Sequence, residues 1–293
     1  MNKNKNNKNI FNFYKINFFY YSESKIFDGL LSSRDNKNEE KSDYEVFKDN
    51  PSIKTIYNDK DLLDRCKAAL KRIQTTPPNR SSNNIDSWFS HESDVNTITI
   101  GAKTIIKCSL LKIIAILAEV DFMSNFVSRF DSITKLQEYS LFRWLIQIRI
   151  KMPVTITNRE IVAMGFGCVN PDDSTILMPF RSVNEKHYDF IKLPKEDKKF
   201  LRIDIIFGFF YIKYIDEENV EVINCYNVDP KVPVIPWFLL NTFLREISYY
   251  IMSDLKKQIE EVDFALYEER INRNRRLYDR IMETLKEKIT KNN

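Results

Sequence analysis

The strongest constraint on this chain is a change of hydrophobic period. From Leu141 onward apolar residues recur every second position. Phe142, Trp144, Ile146, Ile148 and Ile150 share one face, and Arg143, Gln147, Arg149 and Lys151 share the other. That is a half-buried strand. Similar strands are predicted at 159–169, 174–183, 200–214 and 219–228, with turns at NPDDS (170–174) and IDEEN (215–219), both rich in turn formers. After Pro236 the period becomes helical. Leu240, Phe243, Ile247, Ile251, Leu255, Ile259 and Val262 form one stripe that no proline or glycine interrupts. No long helix separates the strands, so they join as successive hairpins in an antiparallel meander. A long amphipathic helix must bury its stripe, and the sheet offers the surface. The class is therefore α+β: a curved antiparallel sheet wrapped around a long C-terminal helix.

The remainder divides by composition. Residues 1–9 are Asn/Lys-rich and 32–50 are polar, neither able to bury a core. Leu62, Cys66, Leu70 and Ile73 mark an amphipathic helix over 59–74, stopped by the double proline of TTPPNRSSNN. Val95–Cys108 reads as strand, and Ser109–Val127 as one or two helices. Beyond residue 268 the stripe falters at EERINRNRR and resumes at Leu277, Ile281, Leu285 and Ile289. The expected organisation is a low-complexity extension (1–57), one folded domain (58–268) and a charged helical tail (269–293). That tail reads as a solvated extension or as a helix for a partner or membrane surface.

Composition narrows the chemistry. The 293 residues carry a net charge of only +4, too little for the dense basic footprint of a nucleic-acid protein. The cysteines Cys66, Cys108, Cys168 and Cys225 form no CxxC pair and read as small buried hydrophobes of a reducing compartment. With two histidines and five glycines, no metal cluster, P-loop, nucleophile elbow or dinucleotide fingerprint can be assembled. No metal, cofactor or catalytic residue is expected. Gly165-Phe-Gly167 reads as strand positions that something approaches closely. The aromatic stretch 10–21 lacks a clean apolar region and cleavage site, which leaves a degenerate targeting signal open.

Three segments carry a resemblance. KMPVTITNREIV (151–162) combines a lysine and proline with Thr-Asn-Arg-Glu and an apolar pair; DPKVPVIPWFLLN (229–241) joins a proline-rich loop to the last helix; Arg129-Phe130-Asp131 is a weaker match. In order and spacing the chain, over roughly residues 58–268, resembles the StAR-related lipid transfer (START) domain, most closely its phosphatidylcholine-transfer branch. The resemblance implies a helix-grip fold, an internal hydrophobic tunnel holding one lipid, and a gate formed by an Ω loop and the last helix. Two departures stand out. Gly165 occupies the place where family members tend to carry a tunnel arginine, and Trp237 follows Pro236 directly.

The expected activity is noncatalytic binding and intermembrane transfer of one lipid, a phospholipid rather than a sterol, by a cytoplasmic monomer that touches membranes transiently. The alternatives are a lipid sensor signalling to a protein partner through the terminal extensions, and an enzyme of the wider helix-grip group acting on a hydrophobic substrate. The expected tunnel lining is Trp144, Ile148, Ile161, Ala163, Gly165, Phe209, Tyr211, Tyr226, Phe243, Ile247 and Ile251, with Arg159 and Asn224 as polar contacts. Arg159 and its neighbours also read as an anchor for the loop at the strand start. The segment NEKHYDFIKLPKEDKK (184–199) mixes Tyr188, Phe190, Ile191 and Leu193 with lysines. It is expected to pack against the helix starting at Trp237 and to open at membranes.

Overall fold

A computed structural model describes residues 51–92, 97–126, 130–152, 157–170, 173–184, 188, 191–231 and 237–289. Helix α1 (Pro51–Thr75) precedes a hairpin and third strand, β1 (Arg80–Ser82), β2 (Ile85–Glu92) and β3 (Thr97–Lys107). Two short helices follow, α2 (Leu110–Ala118) and α3 (Val120–Phe126). Then come β4 (Phe130–Ser140), β5 (Arg143–Ile150), β6 (Asn158–Phe166), β7 (Cys168–Asn170), β8 (Thr175–Ser182), β9 (Phe200–Arg202), β10 (Asp204–Tyr214) and β11 (Asn219–Asp229). Three helices close the chain: α4 (Trp237–Glu261), α5 (Ala265–Arg273) and α6 (Arg275–Ile289).

The strands form one sheet in the order β1-β2-β3-β11-β10-β8-β6-β5-β4, with β7 on β8 and β9 on β6. All pairings are antiparallel except β6 with β9. The expected meander runs from β5 to β11, and the helix-grip architecture is present. Periodicity alone does not place β1, β2 and β4. Local chemistry explains the β1–β2 turn: Asn83 and Asn84 both adopt left-handed backbone, at φ 50 and 59. That is the geometry of a two-residue hairpin turn, and asparagine tolerates it. Ser109 caps α2, its hydroxyl accepting from the Lys112 amide at 3.2 Å.

Both faces of the sheet are covered, unequally. On the outer face α1 buries Leu62, Cys66 and Ile73 against Phe166, Phe209, Ile223 and Cys225. On the inner face α4 lies along β2 and β3. Ser248 donates to the Gly101 carbonyl at 2.6 Å, Asn83 donates to the Tyr249 hydroxyl at 2.8 Å, and Arg80 pairs with Glu246 at 2.6 Å. The far end of α4 reaches α2, where Lys112 donates to the Val262 carbonyl at 3.2 Å. This is the upper end of the inner face. There Ile106, Ile212 and Val222 pack with α2, α4, α5 and α6 in one core.

The tail expected beyond residue 268 is part of that core. Leu277, Tyr278, Ile281 and Leu285 are buried with Ile113, Ile116 and Leu255. Buried Glu119 accepts from the Tyr278 hydroxyl at 2.8 Å and pairs with Arg270 at 3.2 Å. Packing therefore continues past the expected boundary. Glu268, Glu269, Arg273, Arg275 and Arg276 of EERINRNRR are exposed across the end of α5 and the start of α6, whose other sides are buried, while Arg270 turns inward to Glu119.

Candidate functional site

Register assigns each side chain to a face. Trp144, Gly165, Phe180, Gly208, Tyr226 and Ile100 are paired across adjacent strands, so they share one face, and that face is inner. Above this row lie Met178, Phe210, Asn224 and Ala102; below it lie Ile148, Ile161, Ile205 and Val228. The site candidate is the middle and lower part of this surface.

Its centre is aromatic. The Phe180 ring lies 6.1 Å from Phe210 and 5.8 Å from Tyr226, and Phe210 meets Tyr226 edge-on at 6.1 Å. Gly208 makes the cluster possible. A Cβ there would stand 2.5 Å from the Phe180 ring, so only glycine lets the ring cross the strand. Trp144, Ile146, Ile148, Phe180, Phe210 and Tyr226 are each only half-buried, as are Ile247 and Ile251 of α4. Among the described residues, three buried polar atoms on this face have no hydrogen-bond partner: Trp144 Nε1, Asn224 Nδ2 and Ser87 Oγ. Burial pushes the Tyr226 phenol above its ordinary range.

The upper end of the same face is closed. A void of about 10 Å³ between α2, α4 and α5, lined in part by Ile116, Leu255, Ile259 and Tyr267, has room for about one water.

The start of β6 answers for its polar triplet. Asn158 accepts the Met152 amide at 3.0 Å and so holds the preceding loop. Glu160, 1% exposed on the outer face, binds Arg202 at 2.6 Å, Arg149 at 3.2 Å and Gln147 at 2.7 Å. Arg202 in turn donates to the Pro194 carbonyl at 2.9 Å. Arg159 lies between them on the inner face, in line with Ile161 and Ala163, and is 4% exposed. It donates to the Thr157 carbonyl.

Trp144, Ile148, Arg159, Ile161, Ala163, Gly165, Asn224 and Tyr226 thus come together on the inner face, with Ile247 and Ile251 on the facing helix. Phe209 and Tyr211 do not. They point outward, and Phe209 is wholly buried under α1. Burial, with Glu221 and Asp173 nearby, pushes Tyr211 up to about 12. β10 is apolar on both sides and its register slips between Ile205 and Phe207, so alternation alone assigned these two to the wrong face. The side chains of Phe243 and Trp237, and Phe190 as a whole, lie outside the described residues. Met178, Phe180 and Phe210 were missed as inner-face residues. The signal was Gly208, which marks where a ring crosses.

The expected gate loop also lies elsewhere. Tyr188 and Ile191 are buried, and Leu193 partly so, against Leu145, Val162, Met164 and Val183 of the outer face. The Tyr188 hydroxyl donates to Asp59 of α1 at 3.5 Å. These apolar residues cover the outer side of β5 and β6 rather than α4. An arginine clamp lies beside them. Arg143 pairs with buried Asp59, and Arg181 with Asp61 at 2.9 Å.

Burial holds the thiols up, at about 11 for Cys108 and about 12 for Cys168 and Cys225, as for small hydrophobes. No group of three metal-ligating side chains occurs among the described residues. None of the helices described is long and apolar enough to cross a membrane.

Comparison with solved structures places this architecture. The chain superposes on human StAR-related lipid transfer protein 5 with a TM-score of 0.59 at 10% identity, covering 71% of this chain and 98% of that one. It superposes on human STARD10 with a TM-score of 0.55 at 14% identity, covering 66% and 77%. No family model and no curated protein sequence matches the chain. The fold is the helix-grip fold of these lipid-transfer domains.

Proposed function

We propose that this protein binds one lipid on the inner face, between the central strands and α4, and carries it between membranes without chemical change. The observation that supports this reading most is the partly buried aromatic and aliphatic floor facing α4, with three buried polar atoms on the same face that have no partner among the described residues. Apolar surface left partly open inside a fold is a binding site for apolar matter. Each methylene taken from water adds about 0.8 kcal/mol, so acyl chains supply the affinity. The unpaired Asn224, Trp144 and Ser87 atoms supply hydrogen bonds for ester or hydroxyl oxygens, which buried polar groups require. Entry is assigned to the lower end, where α4 begins and Leu201 is exposed, because the upper end is packed. The resemblance to START domains and the fold both fit this reading.

The test is native mass spectrometry of the purified full chain after incubation with mixed phospholipid vesicles, followed by a vesicle-to-vesicle transfer assay. One bound lipid per chain and accelerated transfer are expected. A chain that stays at its apo mass after vesicle exposure overturns the proposal. Binding without transfer favours a sensor.

A further inference from the structure

The inner face carries one charge, on Arg159, that no carboxylate among the described residues neutralises. Arg159 is 4% exposed. Its inner-face neighbours in the lower cluster are Ile148, Ile150, Ile161, Ile203 and Ile205. Its hydrogen bond is to the Thr157 carbonyl, and among the described residues no carboxylate lies within ion-pair distance. The adjoining sequence Pro153–Ile156 supplies no acid either. The contrast with its surroundings is sharp. Glu160, one residue on, engages two arginines; Arg143 and Arg181 each hold an aspartate. Burial alone pushes the Arg159 guanidinium below its ordinary range, with no anion to restore it. A buried arginine whose one hydrogen bond goes to a backbone carbonyl is costly unless a counter-charge arrives.

We propose that Arg159 receives the anionic group of the bound lipid, a phosphate or carboxylate, at the lower end of the inner face. This rests on the lipid-binding reading above and specifies its ligand. The guanidinium fork matches a phosphate or carboxylate with paired hydrogen bonds. At about 3.3 Å per residue, Arg159 lies roughly 20 Å below Gly165 along β6. The headgroup therefore sits at the entry end while the acyl chains run up across Ile161, Ile148 and the Phe180–Phe210–Tyr226 cluster. A neutral lipid of the same chains fills the groove and leaves the arginine unpaired.

The experiment compares extraction of phosphatidic acid and of diacylglycerol with identical acyl chains from phosphatidylcholine vesicles by the delipidated full chain. Wild type extracts phosphatidic acid at least tenfold better. R159Q loses that preference and keeps diacylglycerol extraction, and R159K retains part of it. Thermal melting of the empty proteins separates a binding from a structural role. Freed of an uncompensated charge, empty R159Q melts at or above the wild-type temperature; a marked fall would make Arg159 an anchor for Thr157 and overturn the proposal. Inorganic phosphate raises the melting temperature of empty wild type but not of R159Q if the site takes free anions too. It displaces phosphatidic acid only weakly if the acyl chains dominate. Strong stabilisation by phosphate without any phosphatidic acid preference would overturn the lipid source. If R159Q keeps the wild-type ratio, or wild type extracts both lipids equally, the headgroup site is wrong while lipid binding stands. If wild type extracts neither, lipid binding itself is wrong.

Discussion

Phe209 and Phe210 are adjacent in β10 and meet different worlds. Phe209 faces outward and is completely buried against Leu62, Cys66 and Ile73 of α1. Phe210 faces inward and is only half-buried, touching Phe180 and Tyr226. The same residue type thus serves stability on one face and stays available on the other. The outer face is covered by α1 and by Tyr188, Ile191 and Leu193, and its Asp59, Asp61 and Glu160 are paired with arginines. Among the described residues Arg181 keeps two buried N–H groups, Nε and Nη1, without partners. The inner face is divided: solid above, under α2, α5 and α6, and only partly buried at its aromatic centre.

The largest effect expected concerns the solid part of the inner face. Deleting residues 275–293 removes buried Leu277, Tyr278, Ile281 and Leu285. At about 1.5–3 kcal/mol per buried side chain, the loss is of the order of the whole stability of a domain, about 5–15 kcal/mol. Size-exclusion chromatography and circular dichroism should show no folded soluble monomer. A truncated protein with a cooperative melt near that of the full chain would mean that the upper end closes without α6.

The paired phenylalanines give a direct test of the two faces. Phe209→Ala should cost about 3–5 kcal/mol, as large-to-small changes in full cores do. Phe210→Ala should cost about 1–2 kcal/mol. Lipid load, read by native mass spectrometry, should follow the opposite order, falling for Phe210→Ala and holding for Phe209→Ala in whatever protein remains folded. Equal stability costs would show that the inner face is as tightly packed as the outer.

Gly208→Ala sharpens the point. The added methyl meets the Phe180 ring at 2.5 Å and must turn the ring into the space above the floor. Where that space is open, denaturant unfolding should shift by less than about 1 kcal/mol while lipid load drops. A cost of about 1–3 kcal/mol, typical of overpacking, would mean that the ring has nowhere to go.

The smallest effect concerns the outer clamp and pH. Burial raises the Asp61 carboxyl, but hydrogen bonds and charge from Arg181 and Arg65 outweigh it and leave it below its ordinary range. A lowered folded-state value adds stability above the unfolded carboxyl range, near pH 4, and that stability is lost as pH falls further. Melting temperature measured across the acid range should therefore fall less steeply in Asp61→Asn than in wild type. At neutral pH the variant should be slightly the less stable of the two. A parallel acid limb in both proteins would remove Asp61 from the clamp's energetics.

Much of this architecture was legible without coordinates. The period-two run from Phe142 to Ile150 and the uninterrupted stripe from Leu240 to Val262 are local patterns, each set by which face of an element must leave water. Together they specified sheet and helix. Trp144, Ile148, Ile161 and Ala163 were assigned to the right face for the same reason, because their neighbours in sequence are polar or outward-packed. Three things depended on tertiary structure. β10 is apolar on both sides, so only the register with β11 and the cover of α1 separate Phe209 from Phe210. The apolar residues of the 184–199 loop needed burial somewhere, and nothing local distinguishes the outer side of β6 from the first turn of α4. The charges after residue 268 read as a solvated tail, because a helix with one buried side needs only Leu277, Tyr278, Ile281 and Leu285 to join a core. Sequence periodicity reports that a face will be buried. Which surface buries it, and whether the fit is solid or leaves room for a guest, is decided by partners far away in the chain.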